Sequence, residues 1–190
     1  MTKAEAREFF KEKRNLLSLQ QIEEFSLQIA NQSLQLKEIW SKQTYHIFLS
    51  IERQKEVDTS YLLHILQGKD KNITVSKTDF ANFSMTQILL TDQTQLKVNK
   101  WGIPEPVDGI KIEANQLDVV FVPLLGVDLN GQRVGYGKGF YDRFLAACRP
   151  DVLKIGLGFF APMKNNFEDC ESTDIALDFL ITPTKIHSFI

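Results

Sequence analysis

The run Leu117-Asp-Val-Val-Phe-Val-Pro123 constrains this chain more than any other segment. It is apolar without alternation, as expected of a strand covered on both faces rather than one with a wet side. Short apolar segments at 45–50, 72–76, 87–91, 153–159 and 179–182 read as further strands. Between them lie helical patterns: residues 3–17, a helix opened by a capping box at Ser18-Leu-Gln-Gln21 with Ile22, Phe25, Ile29 and Leu36 as its apolar stripe, and residues 59–67 ended by Gly68. Strands alternating with helices predict an α/β fold, a single three-layer domain over residues 1–190 with a mostly parallel central sheet flanked by helices. No repeat, low-complexity tract or Gly/Ser linker argues for a second domain. In such sheets ligands sit beyond the carboxyl ends of the strands. Chemistry is therefore expected on the loops after Ser50, Pro123 and Phe159.

Charge and composition exclude several classes. A net charge of −2 gives no field to gather nucleic acid, so an anionic ligand needs local basic clusters. The longest apolar run, Val119 to Leu125, is far short of the ~18 residues of a membrane span, and the charged opening segment is unlike a secretory signal. No membrane partner and a cytoplasmic location are expected. Cys148 and Cys170 are too few for a disulfide framework and read as thiols. His46, His64 and His187 have no metal-binding spacing and receive no catalytic role.

The candidate site follows the buried strand. After a turn at Asp128–Gly131, Gly135, Gly137 and Gly139 alternate with Tyr136 and Lys138 just before a helix expected to start near Phe140. Glycine amides and a helix N-terminus suit phosphate oxygens, and Arg133 and Lys138 add full charges. The spacing is neither that of a Walker A loop nor GxGxxG. On spacing alone, a phosphate loop and a plain strand-to-helix turn remain equally open.

The string Arg133-Val-Gly-Tyr-Gly-Lys-Gly-Phe-Tyr-Asp142 resembles the 5-formyltetrahydrofolate cyclo-ligase (methenyltetrahydrofolate synthetase) family. Further likeness lies at Lys3 and Arg7, Phe48-Leu-Ser50, Glu56-Val-Asp-Thr59, Trp101-Gly-Ile-Pro-Glu-Pro106 and Glu171-Ser-Thr-Asp174. The resemblance implies that ATP meets Lys3, Arg7 and the loop formed by Arg133, Val134, Gly135, Tyr136, Gly137, Lys138, Gly139, Phe140 and Tyr141. Within that loop Lys138, Arg133 and Tyr141 would serve catalysis. Leu49, Glu56, Trp101, Tyr136 and Phe140 would border the folate, and Asp142 and Asp174 would hold magnesium. The chain departs from the family pattern in having Phe160-Ala-Pro where a Gln is usual, Thr173 where a His is common, and a longer loop between Ser50 and Glu56.

The implied reaction converts 5-formyltetrahydrofolate and ATP to 5,10-methenyltetrahydrofolate, ADP and phosphate in a protein expected to be a monomer. Phosphorylating the formyl oxygen makes it a leaving group, and the neighbouring amine nitrogen then closes the ring. Such a step asks for positioning and charge neutralisation rather than a nucleophile. Several plainer roles stay open. Asp142 also suits a helix first turn, Asp174 a turn cap, and Trp101 a turn lid. The rival functions are a non-catalytic folate- or nucleotide-binding regulator and a different activity on a similar sheet, such as a sugar-phosphate isomerase or acyl-CoA transferase.

Overall fold

The computed structural model describes all residues, 1–190. In chain order the helices are α1 (Lys3–Asn15), α2 (Leu19–Ser33), α3 (Lys37–Trp40), α4 (Ser60–Gly68) and α5 (Phe140–Ala147). The strands are β1 (Thr44–His46), β2 (Asn72–Asp79), β3 (Ser84–Leu89), β4 (Leu96–Val98), β5 (Pro104–Pro106), β6 (Lys111–Ile112), β7 (Val119–Pro123), β8 (Gly126–Val127), β9 (Arg133–Val134), β10 (Leu153–Leu157), β11 (Phe179–Ile181) and β12 (Ile186–Ser188). Eight strands form one sheet in the order β12-β11-β10-β7-β1-β2-β3-β6. The five from β11 to β2 run parallel; β12 on one edge and β3 on the other run against them, and β6 pairs antiparallel with β3. No helix is long and apolar enough to cross a membrane.

The non-alternating run behaves as its composition demands. Val119 and Phe121 enter a core between the sheet and α2–α4, whereas Val120 and Val122 enter a second core against α5. All four are fully buried. From β1 the chain steps outward to β2 and later returns to the other side of β1 as β7, so the sheet's switch point lies between β1 and β7. A crevice opens there at the strand ends.

Several boundaries differ from expectation for local reasons. The strand expected over 45–50 pairs only through His46, because Thr59 Oγ1 donates to the Phe48 carbonyl at 2.6 Å and draws the chain off the sheet. Residues 48–50 thereby become a cavity wall. The capping box at Ser18 forms in both directions, Gln21 N donating to Ser18 Oγ at 3.1 Å and Ser18 N to Gln21 Oε1 at 2.9 Å. The α2 helix stops at Ser33, so Leu36 packs from the following turn instead. Two hairpins, β4–β5 and β8–β9, and the edge strand β12 are additions too short to leave a periodicity in the sequence.

The β8–β9 hairpin aims the site's first arginine. Fully buried Asp128 accepts from the amides of Asn130 and Gln132 at 2.9 Å each and from Phe167 N at 3.0 Å. This closes the turn expected at 128–131 and sets Arg133 at the crevice. Helix α1 lies across the hairpin, with Phe10 seated over Gly126 and packed with Ala6, Leu125, Val134 and Phe167.

Candidate functional site

A cavity of about 990 Å³ occupies the crevice, and every residue assigned to the site by resemblance lines it. Six parts of the chain meet there: α1, the segment after β1, the β2–β3 hairpin, the stretch Trp101–Pro104, the loop from Arg133 into α5, and the stretch Asp169–Ile175. One end is basic and glycine-rich; the other is walled by Phe48, Leu49, Ile51, Phe80, Met85, Trp101 and Phe140. Of the three loops expected to carry chemistry, those after Ser50 and Pro123 line the cavity. The residues after Phe159 turn instead to α1, Phe160 stacking on Phe10 at 5.9 Å between ring centres. The connection regains the cavity only at Asp169. The unusual Phe160 thus belongs to the docking of α1.

At the basic end Gly137 and Gly139 adopt left-handed φ of 80° and 69°, which a side chain would strain, and Gly139 caps α5 without any side-chain bond. The helix start is therefore open to a ligand. Arg133, nearly buried, pairs with Asp142 at 2.8 Å and also donates to the Ile175 carbonyl. Asp142 Oδ1 accepts from Arg133 and from Ile175 N at 3.1 Å; Oδ2 has no protein partner. From α1, Arg7 Nε donates to the Gly135 carbonyl at 2.8 Å and Lys3 pairs with Asp174 at 2.5 Å. Desolvation pushes the Asp174 carboxyl up, but the Lys3 and Glu171 hydrogen bonds outweigh it and hold the group below its ordinary range. The exposed Lys138 ammonium enters no ion pair or hydrogen bond, and only the residue's carbonyl is engaged, by Arg143. The Val134 side chain points into the core under α1, so only its backbone faces the ligand space.

At the other end Glu56 is almost buried. It accepts from Ile51 N at 2.8 Å and from the Tyr136 hydroxyl at 2.9 Å. Burial raises its pKa despite those bonds. Arg14 reaches the Tyr136 hydroxyl at 3.2 Å and the carbonyls of Gln54 and Leu124. Trp101 stands half exposed at the rim, 5.5 Å from Phe80, which in turn meets Phe140 edge-on at 5.5 Å. Sequence reasoning passed over Arg14, although it sits seven residues after Arg7 on the same side of α1, whereas Lys11 between them pairs outward with Glu8. It also passed over His46, which is fully buried, depressed by burial to a pKa of about 4, and bonded to Tyr141.

The 5-formyltetrahydrofolate cyclo-ligase family model matches residues 1–183. The 5-formyltetrahydrofolate cyclo-ligase of Haemophilus influenzae is 31% identical over 88% of this chain and 90% of its own length. The enzyme of that name from Escherichia coli K12 is 28% identical over 93% and 97%. The solution structure of Aquifex aeolicus 5,10-methenyltetrahydrofolate synthetase superposes with a TM-score of 0.84 at 27% identity, covering 100% of this chain and 93% of that one. The chain belongs to the 5-formyltetrahydrofolate cyclo-ligase family.

Proposed function

We propose that this protein cyclises 5-formyltetrahydrofolate to 5,10-methenyltetrahydrofolate, using ATP to phosphorylate the formyl oxygen and releasing ADP and phosphate. The observation that carries the reading is one cavity with two chemically distinct ends, cationic and amide-rich at one, aromatic with a buried acceptor at the other. ATP takes the first, its phosphates against the open start of α5, Arg7 and Lys138. The folate takes the second, with its flat ring among Leu49, Trp101, Tyr136 and Phe140. Glu56 has two oxygens and about four lone-pair sites, of which protein donors fill two, so it can still accept ring N–H groups. Where the two ends meet, Arg133 and Lys138 neutralise charge on the transferring phosphoryl group, and Tyr141 borders the reacting nitrogen.

The donor set fits magnesium. No three His, Cys, Asp or Glu side chains could hold an ion unaided, but magnesium keeps most of its waters and needs only one or two carboxylates besides the phosphates. Five carboxylates line the cavity, and of these Asp142, through its free Oδ2, and Asp174 would hold the ion. Held by these two carboxylates, a bound ion would supply charge neutralisation to the phosphates and the leaving group.

The reading is tested by mixing protein, 5-formyltetrahydrofolate, magnesium and ATP and following the near-ultraviolet band of the methenyl product. A folded protein that binds both ligands yet yields no band would overturn it. The role of Asp142 is tested separately. In Asp142→Asn the amide oxygen keeps both bonds made by Oδ1, so Arg133 stays in place, while an NH2 replaces Oδ2. The magnesium concentration at half-maximal rate should rise roughly tenfold or more. An unchanged titration would reduce Asp142 to an anchor for Arg133.

A further inference from the structure

His46 closes β1 with its ring sealed between the sheet and α5, in edge contact with Phe144 at 5.1 Å. Its Nδ1 lies 2.8 Å from Gln87 Oε1 and its Nε2 lies 3.0 Å from the Tyr141 hydroxyl. Gln87 is itself fixed, since its Nε2 donates to Ser76 Oγ at 2.9 Å and its Oε1 accepts from Thr74 Oγ1 at 3.3 Å. A carboxamide oxygen can only accept. The His46 proton therefore sits on Nδ1, and Nε2 presents a bare lone pair toward Tyr141. A phenol has one proton, and here Nε2 takes it.

We propose that His46, held by Gln87, is a positioning residue that commits the Tyr141 hydroxyl to donate inward, so that Tyr141 offers the cavity lone pairs only and selects an N–H donor on the substrate. The inference rests on the cyclisation reading, which supplies such a donor: the amine that closes the ring carries one hydrogen before it attacks. A hydrogen bond from that N–H to the Tyr141 oxygen turns the nitrogen's own lone pair away from Tyr141 and toward the carbon it must reach. A tyrosine free to rotate its hydroxyl would instead be able to donate to that lone pair and occupy it. Full burial without a bonded carboxylate keeps the ring neutral, as the arrangement requires, because an imidazolium would donate from both nitrogens. Tyr141 is well placed for this, lining the cavity within electrostatic reach of Glu56 and Arg133.

The tautomer can be read without turnover, so a failure of this assignment and a failure of the proposed activity are told apart. In the intact protein labelled with 15N-histidine, long-range proton–nitrogen correlation should give His46 a protonated Nδ1 and an unprotonated Nε2 at neutral pH. The reverse pattern, or a doubly protonated ring, would overturn the proposal. A double-mutant cycle then asks whether His46 acts through Tyr141. His46→Leu should lower kcat roughly tenfold with the ATP KM unchanged, and should have no further effect on kcat in a Tyr141→Phe background. Equal losses in both backgrounds would mean that His46 is only packing, and would sink the idea. Should His46→Leu not fold, His46→Gln carries the cycle: its carboxamide oxygen can receive the Tyr141 proton, so kcat should stay within about threefold of wild type. A fall to the Tyr141→Phe level would count against the proposal.

Discussion

Changing Lys138 to alanine is expected to lower kcat/KM for ATP by roughly a hundredfold or more while leaving folate affinity and melting temperature close to wild type. Five cationic side chains line the basic end of the cavity, but four already have partners, Arg143 through the Phe83 and Lys138 carbonyls. Lys3 is paired with Asp174, Arg133 with Asp142, and Arg7 donates to the Gly135 carbonyl. Lys138 alone has an uncommitted ammonium, presented on a glycine-flanked loop next to the open start of α5. Its charge is thus the one available to an arriving polyphosphate without first breaking an internal bond. Packing contributes little at this exposed position, so the fold is expected to survive. Steady-state kinetics with each substrate varied in turn, together with thermal unfolding, check the split. Near-normal ATP use would return the loop to a plain strand-to-helix turn.

Gly126→Ala is expected to be the most damaging single methyl group that can be added near the site without touching it. The new Cβ would stand 2.0–2.3 Å from three ring atoms of Phe10, so the ring or the whole of α1 has to move. Overpacking of this kind costs about 1–3 kcal/mol, or roughly 2–12 °C in Tm for a domain of this size. The functional consequence is the distinctive part. Lys3 and Arg7 ride on α1, so the KM for ATP should rise severalfold, while that for folate, which α1 reaches only through Arg14 and Tyr136, should rise less. Combining the change with Phe10→Leu should recover part of both losses, because the smaller side chain gives back the space. An equal rise in both KM values would point to general loosening instead of a displaced helix.

Much of this fold is legible because the sheet's centre is apolar on both faces. Val119 to Val122 declare two-sided burial by composition alone, and the parallel α/β architecture follows from it. Legibility fails where a side chain overrides a pattern. The pattern over 45–50 reads as strand to its end, yet one hydroxyl, Thr59, takes a carbonyl that the sheet would otherwise use. The edge strand β12 has no pattern to read, since three residues on a sheet's rim need pairing more than periodicity. The Asp128 turn, by contrast, forms where Asp and Gly in sequence place it.

Site residues divide along the same line. The glycine-rich loop is contiguous, and a string can be recognised. The other contributors are assembled by topology. Arg14 looks like another cation on a helix until α1 is laid across β8–β9, and then it is a donor to Tyr136. His46 and Gln87 come together only because β1, β2 and β3 are neighbours in space. No spacing rule within one segment links His46 to a tyrosine in α5.

The pairing of Lys3 with Asp174 spans nearly the whole chain and joins the first helix to the connection before β11. Closing so large a loop costs only modestly more entropy than closing one of half the length, since the cost grows with the logarithm of length. Its timing is another matter. During synthesis the first helix emerges early, and its Lys3 has to wait, unpaired, until the connection near residue 174 has left the ribosome. Glu56 and the residues of the cavity's aromatic end are all made in the interval, so that end is complete in sequence before the last carboxylate of the basic end. On the proposed reading, a nascent chain gains its complete ATP end only when its sheet is nearly finished.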